Sequence, residues 1–227
     1  MTDRPGAAAV WDRQAARYPA QEHRQARALA VAVRLAATRP GDQVIDLATG
    51  TGAMLRALAA LPADRRPAGV VGVDRSAGML ARAAATALPD GWTTVAADAR
   101  AVPRPAAAAD VVTCAYLLHL LTADQSAAVL AEALRLLRPG GRLIVVTVWI
   151  DRSRPGGRLA GLAFGAAARA APATLGGLRP HDPSALLTGA GFVLRRRVQV
   201  PRPGYPSLVI AAGRPGDGPP LRGSVSP

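Results

Sequence analysis

The sequence of 227 residues contains no lysine, one cysteine, three histidines and only eight aromatic residues. A single cysteine excludes a framework of intramolecular disulfides and any zinc site built from several cysteines. Arg, Pro or Gly interrupts every apolar stretch before it reaches the roughly 18 residues of a membrane-spanning helix. Charged residues also interrupt the apolar stretch near the N-terminus, unlike in a secretory signal peptide. We therefore expect a soluble, cytoplasmic protein.

Acidic residues are also few. The chain has 28 arginines against 15 acidic residues and a formal net charge of +13. Such a charge is typical of proteins that bind nucleic acid or another anionic partner. A GC-rich bacterial genome that favours Arg, Ala, Gly and Pro explains the same composition. The scarcity of aromatic residues leaves little for stacking on bases, so we favour the second explanation and do not expect nucleic acid as a partner.

Short apolar runs alternate with helix-forming segments through most of the chain. Buried strands are predicted at Val44–Ala48, Ala68–Asp74, Trp92–Ala97, Asp110–Ala115, Arg142–Ile150, Phe192–Val200 and Leu208–Ala212. Helices are predicted at 7–37 with a break near Pro19, at Ala53–Leu61, from Ser76 to about Leu88, at Ala123–Leu137 and at Pro183–Gly189. This alternation predicts an α/β fold with a doubly wound, mostly parallel sheet of seven strands.

The segment Asp46–Gly52 forms a glycine-rich loop between the first strand and the helix after it. Leu55 stands where a dinucleotide-binding loop has its third glycine, and a chain without lysine has no Walker loop. Asp74 ends the second strand and suits the two ribose hydroxyls of an adenosine. Asp98 ends the third strand and can accept from the adenine amino group. The sequence therefore predicts an adenosine ligand that is not held by phosphates.

Five segments in this order resemble the motifs of class I S-adenosylmethionine-dependent methyltransferases. They are Val44–Leu55 (VIDLATGTGAML), Gly72–Leu80 (GVDRSAGML), Ala97–Ala99 (ADA), Ala109–Val112 (ADVV) and Leu134–Val146 (LRLLRPGGRLIVV). Within the family, the chain is similar to the ubiquinone/menaquinone biosynthesis C-methyltransferases and related small-molecule enzymes. The resemblance implies a Rossmann-like sheet of order 3-2-1-4-5-7-6, S-adenosylmethionine as cofactor and S-adenosylhomocysteine as product.

The order of the segments and their composition also predict a domain organisation. Residues 1–40 would form an N-terminal helical lid, and residues 41–213 the methyltransferase domain. Residues 151–180 would be an inserted substrate cap, and residues 214–227 a disordered tail. Ala48-Thr49 replaces the Gly-Cys of many relatives, and Tyr116–Leu120 differs from the quinone enzymes. The acceptor class therefore stays open between a phenol, a quinone and a polyketide-type secondary metabolite.

The family's cofactor contacts transfer to matching positions of this chain. They are Asp46, Ala48, Thr49, Gly50, Thr51, Gly52, Asp74, Arg75, Met79, Asp98, Ala99, Cys114, Ala115 and Tyr18. Asp46 would orient the loop and approach the methionine ammonium through water. Arg75 and Met79 would flank the adenine, whereas Cys114 and Ala115 would lie beneath the sulfonium. Tyr18 would cover the cofactor.

Few residues are candidates for catalysis. His119, after the fourth strand, is the first candidate for a general base, and Tyr116 could orient the acceptor; both could instead serve packing. Trp11, His23, Trp149 and His181 are the substrate-contact candidates. Arg152, Arg154 and Arg158 could attract an anionic group on the acceptor. No metal is expected.

Three functions remain open at this stage. The favoured one is a small-molecule methyltransferase acting as a monomer or homodimer. The alternatives are a non-methylating member of the fold, such as a cyclase or a cofactor-binding protein, and an RNA methyltransferase. Labelled S-adenosylmethionine with a candidate acceptor distinguishes the first two.

Overall fold

The computed structural model describes residues 11–12, 19–150, 181–201 and 205–216. The helices are α1 (Pro19–Ala36), α2 (Ala53–Ala59), α3 (Ala77–Ala84), α4 (Ala123–Leu136) and α5 (Ser184–Gly189), with a 3₁₀ turn at Leu118–Leu120. The strands are β1 (Gln43–Leu47), β2 (Gly69–Asp74), β3 (Thr93–Ala96), β4 (Ala109–Ala115), β5 (Leu137–Val148), β6 (Val193–Val200) and β7 (Ser207–Gly213). Trp11 and Asp12 are helical.

The seven strands form one sheet in the order β3-β2-β1-β4-β5-β7-β6. Strands β1 to β5 pair in parallel, whereas β7 runs antiparallel to both β5 and β6. The predicted strand number, order and mostly parallel character are thus confirmed. Because parallel neighbours end at one edge, β1, β2, β4 and β5 direct their carboxyl ends to the same side of the molecule, where β7 begins opposite Val148.

Apolar cores lie on both faces of the sheet, as expected for parallel strands that are nearly continuous apolar runs. One face packs Val44 and Val111 against apolar residues of α1 and α2, including Leu29 and Leu55. The other packs Ile45 and its neighbours against α4 and α5. The two layers of helices hold the strand ends, and therefore the loops that follow them, in fixed positions.

Several element ends differ from the prediction. Helix α3 ends at Ala84 rather than near Leu88. Leu88 precedes Pro89 and is biased away from helical geometry, so the helix could not have included it. Strand β5 begins at Leu137, before the predicted turn, and its pairing with β4 resumes at Arg142. Ser76 and Thr122 cap α3 and α4.

Some predictions fall outside the described residues. These include the cap at 151–180 with Arg152, Arg154 and Arg158, the cofactor contact Tyr18, and most of the predicted tail. The lid at residues 1–40 is described only at Trp11, Asp12 and from Pro19 onward. Within the described ranges, the structure holds no helix long and apolar enough to cross a membrane.

Candidate functional site

Two groups of side chains lie at the carboxyl edge of the sheet. The glycine-loop side comprises the loop 46–52 together with Asp74 and Ser76, at the ends of β1 and β2. The histidine side comprises Tyr116, His119, Thr147, Trp149 and His181, at the ends of β4 and β5 and before α5. The sequence predicted most members of both groups.

The glycine-rich loop is fixed by its backbone geometry. Ala48, Gly50 and Gly52 all adopt left-handed conformations, with φ of 54°, 56° and 83°. The Thr49 N–H donates to the Val73 carbonyl at 2.9 Å, which ties the loop to β2. A Cβ at Gly50 would meet no atom within 4 Å, whereas at Gly52 it would lie 3.1 Å from the Ala83 Cβ. Gly52 therefore permits close packing of α2 on α3, and Gly50 faces open space.

The buried side chain of Asp46 supports this loop. Its carboxylate accepts from the hydroxyls of Thr49 and Thr113, each at 2.6 Å, and the residue is only 1% exposed. Burial raises the pKa of Asp46 to about 6, the two hydroxyls oppose the rise, and nearby Asp74 adds to it. Its contacts make Asp46 a support for the loop. The predicted approach to an ammonium through water stays a prediction.

Asp74 joins the loop to the start of α3. One carboxylate oxygen accepts from the Gly50 N–H at 2.8 Å, and the other accepts from the Ser76 N–H at 2.9 Å. Burial raises the pKa of Asp74, and these backbone hydrogen bonds oppose the rise. Each oxygen of a carboxylate can accept more than one hydrogen bond. The carboxylate is therefore held in a defined orientation and retains acceptor capacity for a ligand.

Asp12 also lies at the start of α3, a contact that the sequence analysis missed. Its Oδ1 accepts from the Ser76 hydroxyl at 2.5 Å and from the Gly78 N–H at 3.0 Å. A Cβ at Gly78 would come within 3.1 Å of this oxygen. Asp12 thus lies close to Asp74, and its charge contributes to the raised pKa of Asp74. The sequence feature that could have indicated this contact is Gly78, two residues after the capping Ser76.

Two arginines, Arg100 and Arg75, lie next to Asp98. Arg100 donates to it from Nε at 3.0 Å, from Nη2 at 2.6 Å and from its backbone N–H at 2.9 Å, and Arg75 lies 3.8 Å away. The Arg100 side chain is the main cause that lowers the pKa of Asp98, although partial burial opposes it. Met79 and Ala99, the other predicted contacts near the adenine, are both buried. The adenine contact predicted for Asp98 stays a prediction.

Glu22 on α1 contacts the loop at Thr51. Its Oε1 accepts from the Thr51 hydroxyl, and its Oε2 lies 2.6 Å from Arg56 Nη2. Arg56 Nη1 donates to the Thr51 carbonyl at 2.6 Å. Neither Glu22 nor Arg56 was predicted, because 29 residues separate Glu22 from Thr51 and no local pattern links them.

The histidine side is an aromatic cluster. Tyr116 has a left-handed φ of 60°, and its hydroxyl lies 2.9 Å from the Ser207 hydroxyl. Its ring centroid lies 5.4 Å from that of Tyr205 and 6.1 Å from that of His119, the latter edge to face. The structure thus brings both catalytic candidates together. Ser207 and Tyr205 were not predicted.

His119 is 1% exposed, and its Nδ1 lies 3.4 Å from the Thr147 hydroxyl. Burial lowers the pKa of His119 to about 3, and nearby His181 contributes. The imidazole is therefore neutral at pH 7. A neutral imidazole can donate one hydrogen bond and accept another, but with so low a pKa it is a weak base.

The remaining candidates have other contacts. Trp149 packs against the Arg197 guanidinium, whose carbon lies 4.9 Å from the ring centroid, and Arg197 pairs with Asp182 at 2.7 Å. Cys114 is buried, which raises the pKa of its thiol. His23 is exposed on α1, in a cavity of about 640 Å³ between α1 and α2. Among the described residues, no cluster of three or more His, Cys, Asp or Glu side chains could hold a metal ion.

Comparison with known proteins agrees with this geometry. Residues 44–141 match the family model of the methyltransferase domain. The ubiquinone/menaquinone biosynthesis C-methyltransferase of Ectopseudomonas mendocina is 37% identical over 132 residues, which are 56% of this chain and 48% of that protein. The demethylmenaquinone methyltransferase of Thermus thermophilus is 41% identical over 118 residues, 51% of each. The chain thus spans about half the length of these relatives.

The fold extends beyond the matched segment. Magnesium protoporphyrin IX methyltransferase of Synechocystis, solved with bound S-adenosylhomocysteine, superposes with a TM-score of 0.64 at 21% identity, covering 85% of this chain and 84% of that one. This similarity supports the fold, including the sheet. Residues 44–141 are therefore similar to a methyltransferase domain, and the sheet as a whole has the fold of this solved methyltransferase.

Proposed function

We propose that the protein transfers a methyl group from S-adenosylmethionine to a carbon or oxygen atom of a small aromatic acceptor, a hydroquinone or phenol. The observation that carries this proposal is Asp74, whose carboxylate is held by the Gly50 and Ser76 N–H groups at the end of β2. A carboxylate in that position suits ribose hydroxyls. The names of the sequence relatives favour a quinone-type acceptor.

The glycine-loop side fits this cofactor. Space lies open above Gly50, and the chain there has no phosphate-binding lysine. The loop would hold the amino-acid end, Asp74 the ribose, and Met79 with Arg75 and Asp98 the adenine. When bound, S-adenosylmethionine supplies an electrophilic methyl group on its sulfonium and leaves as S-adenosylhomocysteine. The protein's contribution is alignment and exclusion of water.

The histidine side would receive the acceptor. Neutral His119 and the Tyr116 ring lie 6.1 Å apart between centroids at the end of β4. Because the His119 pKa is about 3 and the side chain is 1% exposed, we assign His119 to packing against the Tyr116 ring rather than to holding a proton of the acceptor. The acceptor's electron pair would form the new bond to the methyl carbon, and the proton that it loses would pass to water.

A labelling experiment tests the proposal. The protein is incubated with S-adenosylmethionine labelled in the methyl group and with a demethylated naphthohydroquinone or a simple phenol. We expect label in the organic extract and an equal amount of S-adenosylhomocysteine. Binding of S-adenosylmethionine without transfer to either acceptor would contradict the proposal and favour a non-methylating member of the fold. Asp74→Ala serves as the inactive control.

A further inference from the structure

A hydrogen bond between two distant side chains joins α1 to the histidine side. Gln25 Nε2 of α1 donates to the Tyr205 hydroxyl at 3.2 Å, across 180 residues of chain. The Tyr205 ring lies 5.4 Å from the Tyr116 ring between centroids, tilted by 57°. The Ser207 hydroxyl, 2.9 Å from that of Tyr116, donates to the Tyr205 carbonyl at 3.3 Å. Tyr205 is therefore held at its hydroxyl by α1, at its ring by Tyr116 and at its backbone by β7.

Tyr205 lies at the carboxyl edge of the parallel strands. Ser207, two residues later, pairs with Val148 at the end of β5. Within this network, Gln25 is 2% and Tyr116 is 7% exposed, whereas Tyr205 is half-buried. Open α/β sheets bind their ligands at this edge. Part of Tyr205 is therefore accessible where an acceptor would bind, while the two residues that hold its side chain are buried.

Gln25 is a polar side chain on the buried face of α1. Its buried neighbours on this helix are apolar: Ala28, Leu29, Ala32, Val33 and Ala36. A buried amide costs free energy unless it is hydrogen-bonded, and an apolar side chain at this position would bury apolar surface without that requirement. Packing of α1 on the sheet therefore does not call for glutamine at position 25, whereas fixing the Tyr205 hydroxyl does call for a hydrogen-bonding side chain.

We propose that Tyr205 determines acceptor specificity, its ring packing against the aromatic ring of the acceptor, and that Gln25 positions Tyr205 for this contact. This inference rests on the proposed function. Aromatic rings pack in offset or tilted pairs with centroids about 4.5–7 Å apart, as Tyr205 and Tyr116 already do. A ring that is held in advance loses little freedom when the acceptor binds. Because a larger ring system gains more contact area, Tyr205 favours an acceptor with two fused rings over a single-ring phenol.

Steady-state kinetics at saturating S-adenosylmethionine tests the contact of the Tyr205 ring. The acceptors are the demethylated naphthohydroquinone and the simple phenol. We expect Tyr205→Leu to raise KM about tenfold for the naphthohydroquinone and about threefold for the phenol, with kcat changed less than about twofold. A higher KM at unchanged kcat marks the loss of binding that substrate and transition state share. The dissociation constant of S-adenosylmethionine should change less than about twofold.

A double-mutant cycle tests the positioning by Gln25. Gln25→Leu and Tyr205→Phe each remove the hydrogen bond and keep the ring, so each should raise the KM for the naphthohydroquinone about threefold. The variant that carries both changes should have the same KM as either single variant, because the one bond is already lost. Gln43→Leu is the matched control. Gln43 is exposed at the start of β1, at the opposite edge of the sheet, and its loss should leave KM unchanged.

The possible outcomes separate this inference from the proposed function. Melting temperatures show that each variant is folded. An unchanged KM in Tyr205→Leu would overturn the acceptor contact, and KM effects that add in the double variant would overturn the role of Gln25. If Tyr205→Leu did not fold, the cycle with Tyr205→Phe would decide, since no change in KM in either single variant contradicts the inference. Wild-type protein that methylates neither acceptor would instead overturn the proposed function, and this inference with it.

Discussion

The glycine-loop side and the histidine side begin alike and continue differently. Each follows a parallel strand, and each turns through a non-glycine residue in the left-handed region, Ala48 after β1 and Tyr116 after β4. On the glycine-loop side, carboxylates then meet backbone N–H groups. On the histidine side, rings and hydroxyls from distant strands pack together. Strain of this kind collects where a fold holds a ligand or reactant, and here it marks both halves of the proposed site.

Burial acts on the two sides with opposite sign. It raises the pKa of Asp46 to about 6 and lowers the pKa of His119 to about 3, because in both cases it disfavours the charged form. Burial at this edge of the sheet therefore disfavours charged side chains that have no partner, although the chain as a whole has a net charge of +13. Charges that persist on the glycine-loop side are those with fixed partners, such as Asp74 and the Glu22–Arg56 pair.

The largest expected effect is on the glycine-loop side. Asp74→Ala removes the carboxylate that would bind both ribose hydroxyls and also leaves the Gly50 and Ser76 N–H groups without their acceptor. Two hydrogen bonds to a charged group correspond to about 4 kcal/mol, or a loss of roughly 1,000-fold in affinity for S-adenosylmethionine. Isothermal titration calorimetry of wild type and variant measures it.

Asp64→Ala is the matched control, since Asp64 is exposed and the same charge is removed. If Asp74→Ala bound S-adenosylmethionine as tightly as the control, the assignment of the ribose contact would be wrong. The comparison between the two sides would then lose its main support, because no carboxylate would distinguish the glycine-loop side as the place of ligand binding.

The two sides also differ in how far the sequence predicted them. The loop 46–52 and Asp74 lie in one strand-loop-helix-strand segment, so a local pattern sufficed to find them. The strand order was predicted only through the resemblance to a family. Ser207 and Tyr205, by contrast, meet Tyr116 across 91 and 89 residues, and Glu22 meets Arg56 across 34. Such contacts depend on tertiary packing of β7 and α1, which no spacing rule encodes.

The histidine side is tested by the pH dependence of stability. The pKa of His119 is lowered from 6.5 to about 3, so between these values the unfolded chain binds more protons than the native one. The contribution of His119 to stability is therefore complete above pH 6.5 and decreases as the pH falls toward 3. Between pH 6.5 and 5 the wild type should lose about 2 kcal/mol through this residue.

His119→Asn removes this titration and keeps a partner for the Thr147 hydroxyl. We expect the difference in unfolding free energy between wild type and variant, from urea titrations at pH 7 and pH 5, to shift by that amount. His23→Asn controls for the loss of an exposed imidazole. If the unfolding free energy of His119→Asn depended on pH as strongly as that of the wild type, the histidine side would tolerate charge. Burial would then not act on both sides of the site.

The smallest expected effect concerns the strained turn itself. Ala48→Gly relieves a left-handed alanine with φ of 54°. The relief of about 1–2 kcal/mol exceeds the free-energy cost of the extra flexibility of glycine in the unfolded chain, about 0.5–1 kcal/mol.

Ala37→Gly, at φ of 45° on the exposed end of α1, gives the same relief away from the site. Both variants should gain about 0.5–1 kcal/mol, or roughly 1–4 °C in melting temperature. Only Ala48→Gly should also lower the affinity for S-adenosylmethionine, by about twofold. The reason is that this variant loosens a loop that is otherwise ordered before the cofactor binds. Equal affinities for the two variants would mean that the strain at Ala48 serves only the turn, and that the resemblance between the two sides does not extend to ligand binding.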